Sequence, residues 1–203
     1  MHAGTLTRPQ LRAWVANRYY YQTRIPLKDA LIVAKSEDPR FRRIWLRRII
    51  DHDGTADGEG GLALWRRLGA AVGIEEGALG RFAEVLPGVR FACDAYVTLV
   101  REATLVEAVA SSLTEFFAPD LMQRRIAAWE RHYPWIGAEA LDYFRSRVPR
   151  ASRDAAEAVA FVVGEARTAE LQERCVRALV RKTEILWHLL DCVMAAHPLG
   201  PST

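Results

Sequence analysis

Arg48 and His52 lie four residues apart in a stretch that ends at Gly54. Residues at i and i+4 share one face of a helix, so the guanidinium and the imidazole would project together. A histidine flanked by Asp51 and Asp53 can exchange protons near neutral pH. The helix dipole alone also favours a cationic side chain in a last turn. The stretch is therefore a candidate proton-transfer site that needs further residues from elsewhere in the chain.

Several other polar residues interrupt helix faces that should be apolar. They are Arg18, Tyr21, Gln22, Tyr96, Thr114, Glu115, Tyr143, Arg147 and Lys182. Each has a simple explanation, because helical arginines are usually solvated and a buried tyrosine usually needs one hydrogen bond. Together they could line one polar cavity. Such a cavity would suit a rigid polycarboxylate, because several fixed cations offset the cost of removing its carboxylates from water.

A metal site is a second interpretation of the same chain. Glu184, His188 and Asp191 are spaced along one helical face, and His52 and Glu115 could join them. The paired Glu-x-x-His pattern of di-iron bundles does not occur. Nucleophile elbows, phosphate-binding loops and dinucleotide fingerprints are also absent from the sequence.

Composition limits the class of protein and its partners. The chain has 203 residues, half of them apolar, which predicts one domain over 1–203. Three of its 28 basic residues are lysines (Lys28, Lys35 and Lys182), and the others are arginines, which bind carboxylates through paired hydrogen bonds. No long basic stripe with interleaved aromatic residues occurs, so no nucleic-acid partner is expected.

The cysteines indicate a reducing compartment. Cys93, Cys175 and Cys192 are odd in number and far apart in apolar helical patterns, which argues against a disulfide framework. No signal peptide opens the chain and no apolar run is long enough to cross a bilayer. We therefore expect a cytoplasmic protein with no membrane partner.

Helix-period patterning dominates, so the sequence predicts an all-α bundle. The last helix is largely apolar from Ile185 to Ala196, as expected for a segment buried in the domain or in an oligomer contact. The tail from Pro198 onward is expected to fray. The predicted helices cover about 7–22, 26–35, 38–53, 61–72, 78–85, 89–110, 119–131 and 137–148, then one capped by Ser152 and one from Thr168 to 196.

A series of short motifs follows these helices in order. They are Trp14-Val-Ala-Asn-Arg-Tyr-Tyr-Tyr-Gln22, Ile25-Pro-Leu-Lys-Asp29, Asp51-His-Asp-Gly54, Leu86-Pro-Gly-Val-Arg-Phe91, Asp94-Ala-Tyr-Val97, Ser111-Ser-Leu-Thr-Glu115, Ala118-Pro119, His132-Tyr-Pro-Trp135, Tyr143-Phe-Arg-Ser-Arg147, Ile185-Leu-Trp187 and Leu190-Asp191. With these motifs the chain resembles the pyrroloquinoline quinone synthase family over nearly its whole length.

The resemblance implies a heme-oxygenase-like, TenA-like helical bundle that forms a homodimer. It implies ring closure and oxidation of a bicyclic, polycarboxylate quinone precursor by O2. Hydrogen peroxide is released, and neither a metal nor an organic cofactor takes part. The catalytic residues it implies are His52, Tyr143, Arg147 and Lys182. The substrate-binding residues it implies are Arg18, Tyr21, Gln22, Lys28, Arg48, Tyr96, Thr114, Glu115 and Arg125.

Two departures from the family pattern affect these expectations. The family has a helix before the region that matches Leu6, and that helix is missing here, so we expect a more open pocket. Some relatives carry a histidine where this chain has Met122. A metal-dependent oxygenase on the same fold and a non-catalytic binder of the quinone or its precursor therefore remain alternatives.

Overall fold

Nine α-helices and two short 3-10 segments build the described part of the chain, residues 1–198 of a computed structural model, which contains no strand. The predicted tail beyond 198 lies outside the described residues. No helix within 1–198 is long and apolar enough to cross a membrane. The α-helices are α1 (Arg8–Ala34), α2 (Pro39–Asp53), α3 (Gly60–Ala71), α4 (Glu76–Gly80), α5 (Pro87–Glu102), α6 (Leu105–Ser111), α7 (Ala118–His132), α8 (Asp142–Glu165) and α9 (Ala169–Ala196). The 3-10 segments are Ser112–Phe117 and Ala138–Leu141.

The helix starts follow from side-chain caps that the sequence contains. Thr7 forms a capping box with Gln10 and opens α1. The Asp38 side chain accepts a hydrogen bond from the Arg40 backbone N–H at the start of α2. Thr168 caps α9 by accepting from the Leu171 N–H. Because these side chains satisfy otherwise unpaired N–H groups, the predicted starts of these three helices are confirmed.

The prediction that Pro26 starts a separate helix is wrong. Pro26 lies inside α1, which continues to Ala34. A proline in a helix interior removes one backbone hydrogen bond, here to the carbonyl of Gln22. The helix persists because residues on both sides of the proline, including Ile25 and Ile32, are buried in the core.

The prediction that a helix ends near 148 and restarts at Ser152 is also wrong. Helix α8 runs through Pro149 to Glu165. The Ser152 hydroxyl donates to the backbone carbonyl of Val148 and caps nothing. The prediction for 89–110 missed a break, because Ala103 is extended and a capping box between Thr104 and Glu107 starts α6.

Helix α1 lies between two apolar clusters and contributes to both. One cluster contains the indole rings of Trp14, Trp65 and Trp129 with Phe144, and Trp14 lies 5.8 Å from Trp65 and 6.1 Å from Trp129 between ring centroids. The other contains Tyr21 together with side chains of α2, α5 and α9. The polar side chains of α1 therefore lie where the two clusters meet, which sets the position of the candidate site.

Candidate functional site

A cavity of about 120 Å³ opens between α1, α2, α7, α8 and the 3-10 segment Ser112–Phe117. It brings together many of the predicted site residues from distant parts of the sequence. Its lining residues are Arg18, Tyr21, Gln22, Ile25, His52, Thr114, Glu115, Phe117, Ala118, Leu121, Met122, Tyr143 and Arg147.

The end of α2 holds His52 against the start of α3. Gly54 and Gly60 have φ angles of +83° and +77°, which suit glycine. A Cβ atom on Gly60 would lie 2.6 Å from the His52 carbonyl oxygen, and one on Gly61 would lie 3.2 Å from Cε2 of Tyr143. The glycines thus allow the backbone to turn tightly beside His52 and Tyr143.

The His52 ring has a defined tautomer. Its Nδ1 lies 3.0 Å from the backbone carbonyl oxygen of Arg48. Because a carbonyl oxygen only accepts, Nδ1 carries the proton and Nε2 keeps a lone pair. Burial and the nearby Arg147 guanidinium lower the His52 pKa to about 3. At neutral pH the imidazole is therefore an uncharged hydrogen-bond acceptor on the cavity wall.

Two arginines bind the partly buried carboxylate of Glu115. Nη1 of Arg48 lies 2.7 Å from Oε2, and Nη2 of Arg147 lies 3.7 Å from Oε1. Burial opposes ionisation of Glu115, but these guanidiniums lower its pKa to about 2. The Arg48 guanidinium also stacks 3.8 Å from the Trp45 ring centroid. Glu115 is thus a permanent anion that orients two cations beside His52.

On the α1 side of the cavity, a phenol and an arginine face the opening. The Tyr143 hydroxyl donates to Oε1 of Gln22 at 2.7 Å. Arg18 stacks over the Tyr21 ring at 4.4 Å, and its buried Nε has no hydrogen-bond partner. An arginine on a cavity wall with an unsatisfied donor is available to an anionic ligand.

Four predicted site residues, Lys28, Arg48, Tyr96 and Lys182, lie behind the cavity rather than in its lining. Lys28 pairs with Asp29 at 2.6 Å and donates to the Ser112 hydroxyl at 3.0 Å. The Tyr96 hydroxyl lies 3.4 Å from the same serine oxygen. Lys182 reaches from α9 to the Tyr21 hydroxyl at 2.5 Å. These four residues form a polar layer underneath the cavity floor.

Arg125, another predicted substrate-binding residue, lies beside the central cavity and not in its lining. Arg125 lines a second cavity of about 290 Å³ with Trp14, near the end of α9. Its guanidinium lies 4.9 Å from the Trp14 ring centroid and 3.7 Å from the sulfur of Met122. Burial and the Arg18 charge lower the Arg125 pKa to about 9. Because Met122 lines the first cavity, Arg125 lies between the two.

Sequence reasoning missed Asp154, which is almost fully buried in α8. Its carboxylate lies 3.4 Å from Nη1 of Arg147, and its backbone carbonyl accepts from Arg48. Arg153 links the same carboxylate to Asp51, the neighbour of His52. The available signal was an acid at helical spacing from Arg147 on the same face.

The metal-site interpretation is not supported by the arrangement of its residues. Glu184 and His188 line a separate depression with Phe91, whereas His52 and Glu115 line the central cavity. Within residues 1–198, no group of three or more His, Cys, Asp or Glu side chains is placed to hold a metal ion.

The helical architecture is shared with solved proteins of one fold class. A protein of unknown function with a heme oxygenase-like fold from Shewanella denitrificans superposes with a TM-score of 0.78 at 12% identity, covering 98% of this chain and 83% of that chain. A TenA homologue from Pseudomonas syringae pv. tomato gives a TM-score of 0.72 at 14% identity, covering 94% of this chain and 81% of that chain. The fold is therefore all-α and heme-oxygenase-like, as predicted.

Sequence comparison defines the family. Pyrroloquinoline-quinone synthase from Cronobacter sakazakii is 49% identical over 199 residues, which cover 98% of this chain and 79% of that protein. The protein of the same name from Pseudomonas aeruginosa is 48% identical over 199 residues, which cover 98% of this chain and 80% of that protein. The TENA/THI-4/PQQC family matches residues 1–192. The chain belongs to this family.

Proposed function

We infer that the chain is an enzyme, a pyrroloquinoline-quinone synthase that closes a ring in a quinone precursor and oxidises it with O2. Relatives of that name share about half of its residues over nearly its full length. The observation that carries the assignment is the convergence of Arg18, Gln22, His52, Tyr143 and Arg147 on one cavity. These side chains come from three helices and make one site for binding an anion and moving protons.

The charges around the cavity support a polycarboxylate precursor. Glu115 is matched by Arg48 and Arg147, while Arg18 makes no ion pair within residues 1–198. The Lys28 ammonium behind the wall is balanced by Asp29, so Arg18 is the cation left without a carboxylate in the part of the chain that the structure describes. Cations therefore exceed carboxylates here, and a ligand carrying carboxylates would restore the balance.

His52, Tyr143 and Arg147 are the residues that we assign to the oxygen step. The Nε2 lone pair of His52 can accept a hydrogen bond, and the Tyr143 phenol can donate one. The Arg147 charge would stabilise the anion that forms as O2 takes electrons from the deprotonated substrate. Hydrogen peroxide is the expected two-electron product of that O2.

We propose that the substrate itself supplies the electrons, without a metal or an organic cofactor. A metal cation at this position would meet the Arg48, Arg147 and Lys28 side chains, which disfavour a further positive charge. The Glu115 carboxylate is engaged by two guanidiniums. The His52 Nδ1–H donates to a backbone carbonyl, and Nε2 would be a single nitrogen ligand, because within residues 1–198 no group of three or more His, Cys, Asp or Glu side chains is placed to hold a metal ion.

Substrate entry requires movement at the cavity rim. A volume of about 120 Å³ is below the roughly 300 Å³ at which ligand pockets usually begin. Phe117 and Leu121 line the opening and are exposed, so their side chains can rotate outward with little loss of packing. We propose that these two residues move when the precursor binds.

We also propose that the protein is a homodimer joined along α9. Its exposed apolar residues repeat at spacings of four, seven, three and four, which forms a stripe along one helical face. The stripe consists of Val176, Val180, Trp187, Leu190 and Met194, and Trp187 alone is 64% exposed. A second copy presents the same stripe, so two α9 helices can bury both. Trp187→Glu should convert the dimer to a monomer in analytical ultracentrifugation, while Leu46→Glu on α2 should not.

The reducing cytoplasm is the proposed site of the reaction. Cys93, Cys175 and Cys192 are all free thiols. Burial raises the pKa of the Cys93 thiol to about 12, which keeps this cysteine unreactive. Nothing in this arrangement requires an oxidising compartment.

An anaerobic experiment tests the function. The protein is mixed with the quinone precursor without oxygen, and air-saturated buffer is then added. We expect pyrroloquinoline quinone absorbance to rise together with oxygen consumption and peroxide. Binding of the precursor without oxygen uptake would overturn the enzyme assignment. Dependence on added iron or manganese would overturn the cofactor-independent mechanism.

A further inference from the structure

Lys182 is a buried amine without a carboxylate beside it. Its side chain is 1% exposed, and no ion pair within 4.0 Å includes it among residues 1–198. The other buried lysine is different, because Lys28 has Asp29 at 2.6 Å. Burial opposes the charge on both lysines, yet the Asp29 partner raises the Lys28 pKa. A lone buried ammonium is costly, so Lys182 favours its neutral form.

The charged groups around Lys182 also favour its neutral form. Lys28 and Arg18 on α1 face it as cations, while Glu115 of the 3-10 segment and the Cys93 thiol of α5 oppose them more weakly. Burial, followed by the charges of Lys28 and Arg18, lowers the Lys182 pKa well below its usual value. Both effects favour the neutral amine, whose nitrogen carries a lone pair.

That lone pair has one close partner, the phenol of Tyr21. The two polar atoms lie 2.5 Å apart, and Nζ sits 3.8 Å from the Tyr96 ring centroid and 4.6 Å from that of Tyr21. Burial raises the Tyr21 pKa well above its usual value, so its hydroxyl keeps its proton and can donate it to the amine. The aromatic faces can hold the ammonium that would result.

Tyr21 connects this amine to the ligand cavity. It lines the cavity, whereas Lys182 does not. We propose that Tyr21 and Lys182 are the proton-accepting pair of the site, with Tyr21 passing a proton from the bound ligand to the Lys182 amine. In each transfer the ligand loses one proton to the phenol oxygen while the phenol proton moves to Nζ. Tyr21 is restored, Lys182 becomes an ammonium, and no electrons are exchanged with the protein.

This proposal gives different roles to His52 and Lys182, which the family resemblance grouped together as catalytic residues. The His52 imidazole, with a pKa of about 3, is a weak base and serves as a hydrogen-bond acceptor near O2. The Lys182 amine is the group placed to receive a proton, because the Tyr21 hydroxyl connects it to the cavity. The ammonium formed at Lys182 would also stabilise a ligand anion in the adjacent cavity, so binding of a polyanion should itself draw a proton onto Lys182.

Proton uptake on ligand binding tests the pair without relying on turnover. The probe is pyrroloquinoline quinone, titrated calorimetrically at pH 8 in buffers of different ionisation enthalpy. We expect the unmodified protein to take up close to one proton per ligand and Lys182→Met to take up none. Lys35→Met is the matched control, because Lys35 lies on the surface and donates to the Arg101 carbonyl, and it should behave like the unmodified protein. Equal uptake by Lys182→Met would overturn the proposal.

Chemical rescue tests whether the Tyr21–Lys182 pair accepts a proton during turnover, a part of the inference that rests on the proposed function. Lys182→Ala should lose at least tenfold in turnover of the precursor, and added ethylamine should restore at least tenfold of that loss as its free-base fraction rises. Tyr21→Phe should lose turnover that ethylamine does not restore. Turnover in Lys182→Ala that ignores added amine would reject the pair, with folding checked by circular dichroism. If the unmodified protein shows proton uptake but no turnover, the enzyme assignment fails and the binding half of this inference stands.

Discussion

The Asp154 carboxylate lies 3.4 Å from Nη1 of Arg147, with both residues on α8. Glu115 lies on the other side of the same guanidinium at 3.7 Å. Arg147 is therefore held between two carboxylates at moderate distances, next to His52. Its orientation toward the cavity depends on a residue that does not line the cavity.

Replacing Asp154 should lower the turnover rate more than it weakens substrate binding, because it displaces the Arg147 guanidinium. Asp154→Asn leaves Arg147 with one carboxylate and Arg153 with a weaker partner, and breaking a buried pair costs about 3 kcal/mol. We expect turnover to fall about tenfold or more with a small change in KM, because the misplaced guanidinium acts mainly on the oxygen step. Asp154→Glu should recover part of the loss, and Asp142→Asn, on the exposed side of α8, should match the unmodified enzyme. A change confined to KM would contradict this.

Removing the Glu115 charge should tighten the binding of anions. Glu115→Gln leaves Arg48 without a carboxylate and Arg147 with Asp154 alone, so the cavity becomes more positive and pyrroloquinoline quinone should bind roughly tenfold tighter at low salt. The gain should shrink as ionic strength rises. Dissociation constants measured at several salt concentrations check this, with Glu130→Gln in an exposed pair as the control. Weaker binding would show that Glu115 contacts the ligand directly.

His52 should make the protein less stable in mild acid. Its pKa is about 3 when folded and close to 6.5 when unfolded, so only the unfolded chain gains this proton between those values. The free energy of unfolding should therefore fall as pH drops below 6.5, by about 2 kcal/mol at pH 5. Glu115, with a folded pKa of about 2, adds to the loss only below about pH 4.5. Urea titrations at a series of pH values should show this fall in unfolding free energy below pH 6.5 in the unmodified protein and not in His52→Gln.

A methyl group at Gly61 should displace Tyr143. The added Cβ atom would lie 3.2 Å from Cε2 of the Tyr143 ring and 3.6 Å from the His52 Cα. We expect Gly61→Ala to lower the free energy of unfolding by about 1–3 kcal/mol and to reduce turnover severalfold. Gly164→Ala meets no atom within 4 Å and should stabilise α8 by about 0.5–1 kcal/mol. Equal activity of the two variants would mean that Tyr143 tolerates the shift.

Local signals predicted the helix starts well and the helix interiors poorly. Thr7, Asp38 and Thr168 cap the first, second and last helices because capping involves only neighbouring residues. Helix boundaries were predicted at Pro26 and between residue 148 and Ser152, yet α1 and α8 run through these positions. Packing on either side outweighed one lost hydrogen bond, and packing between distant segments cannot be read from a local pattern.

The candidate site was likewise predicted only in part. Helical spacing and family motifs indicated Arg18, Gln22, His52, Tyr143 and Arg147, and the structure places all five on one cavity. Their catalytic roles remain predictions. Arg125 lines the second cavity, and its direction depends on how α7 packs against α8. Asp154 was missed because a buried carboxylate and a surface carboxylate have the same appearance in a sequence.

The indole cluster beside the cavity has an optical consequence. The Trp65 ring centroid lies 4.7 Å from that of Tyr143, Trp14 packs against Trp65, and Trp129 packs against Trp14. A conjugated quinone in the cavity would absorb light that these indoles emit. Binding should therefore quench the intrinsic fluorescence, so that occupancy of the site can be followed in real time without a label.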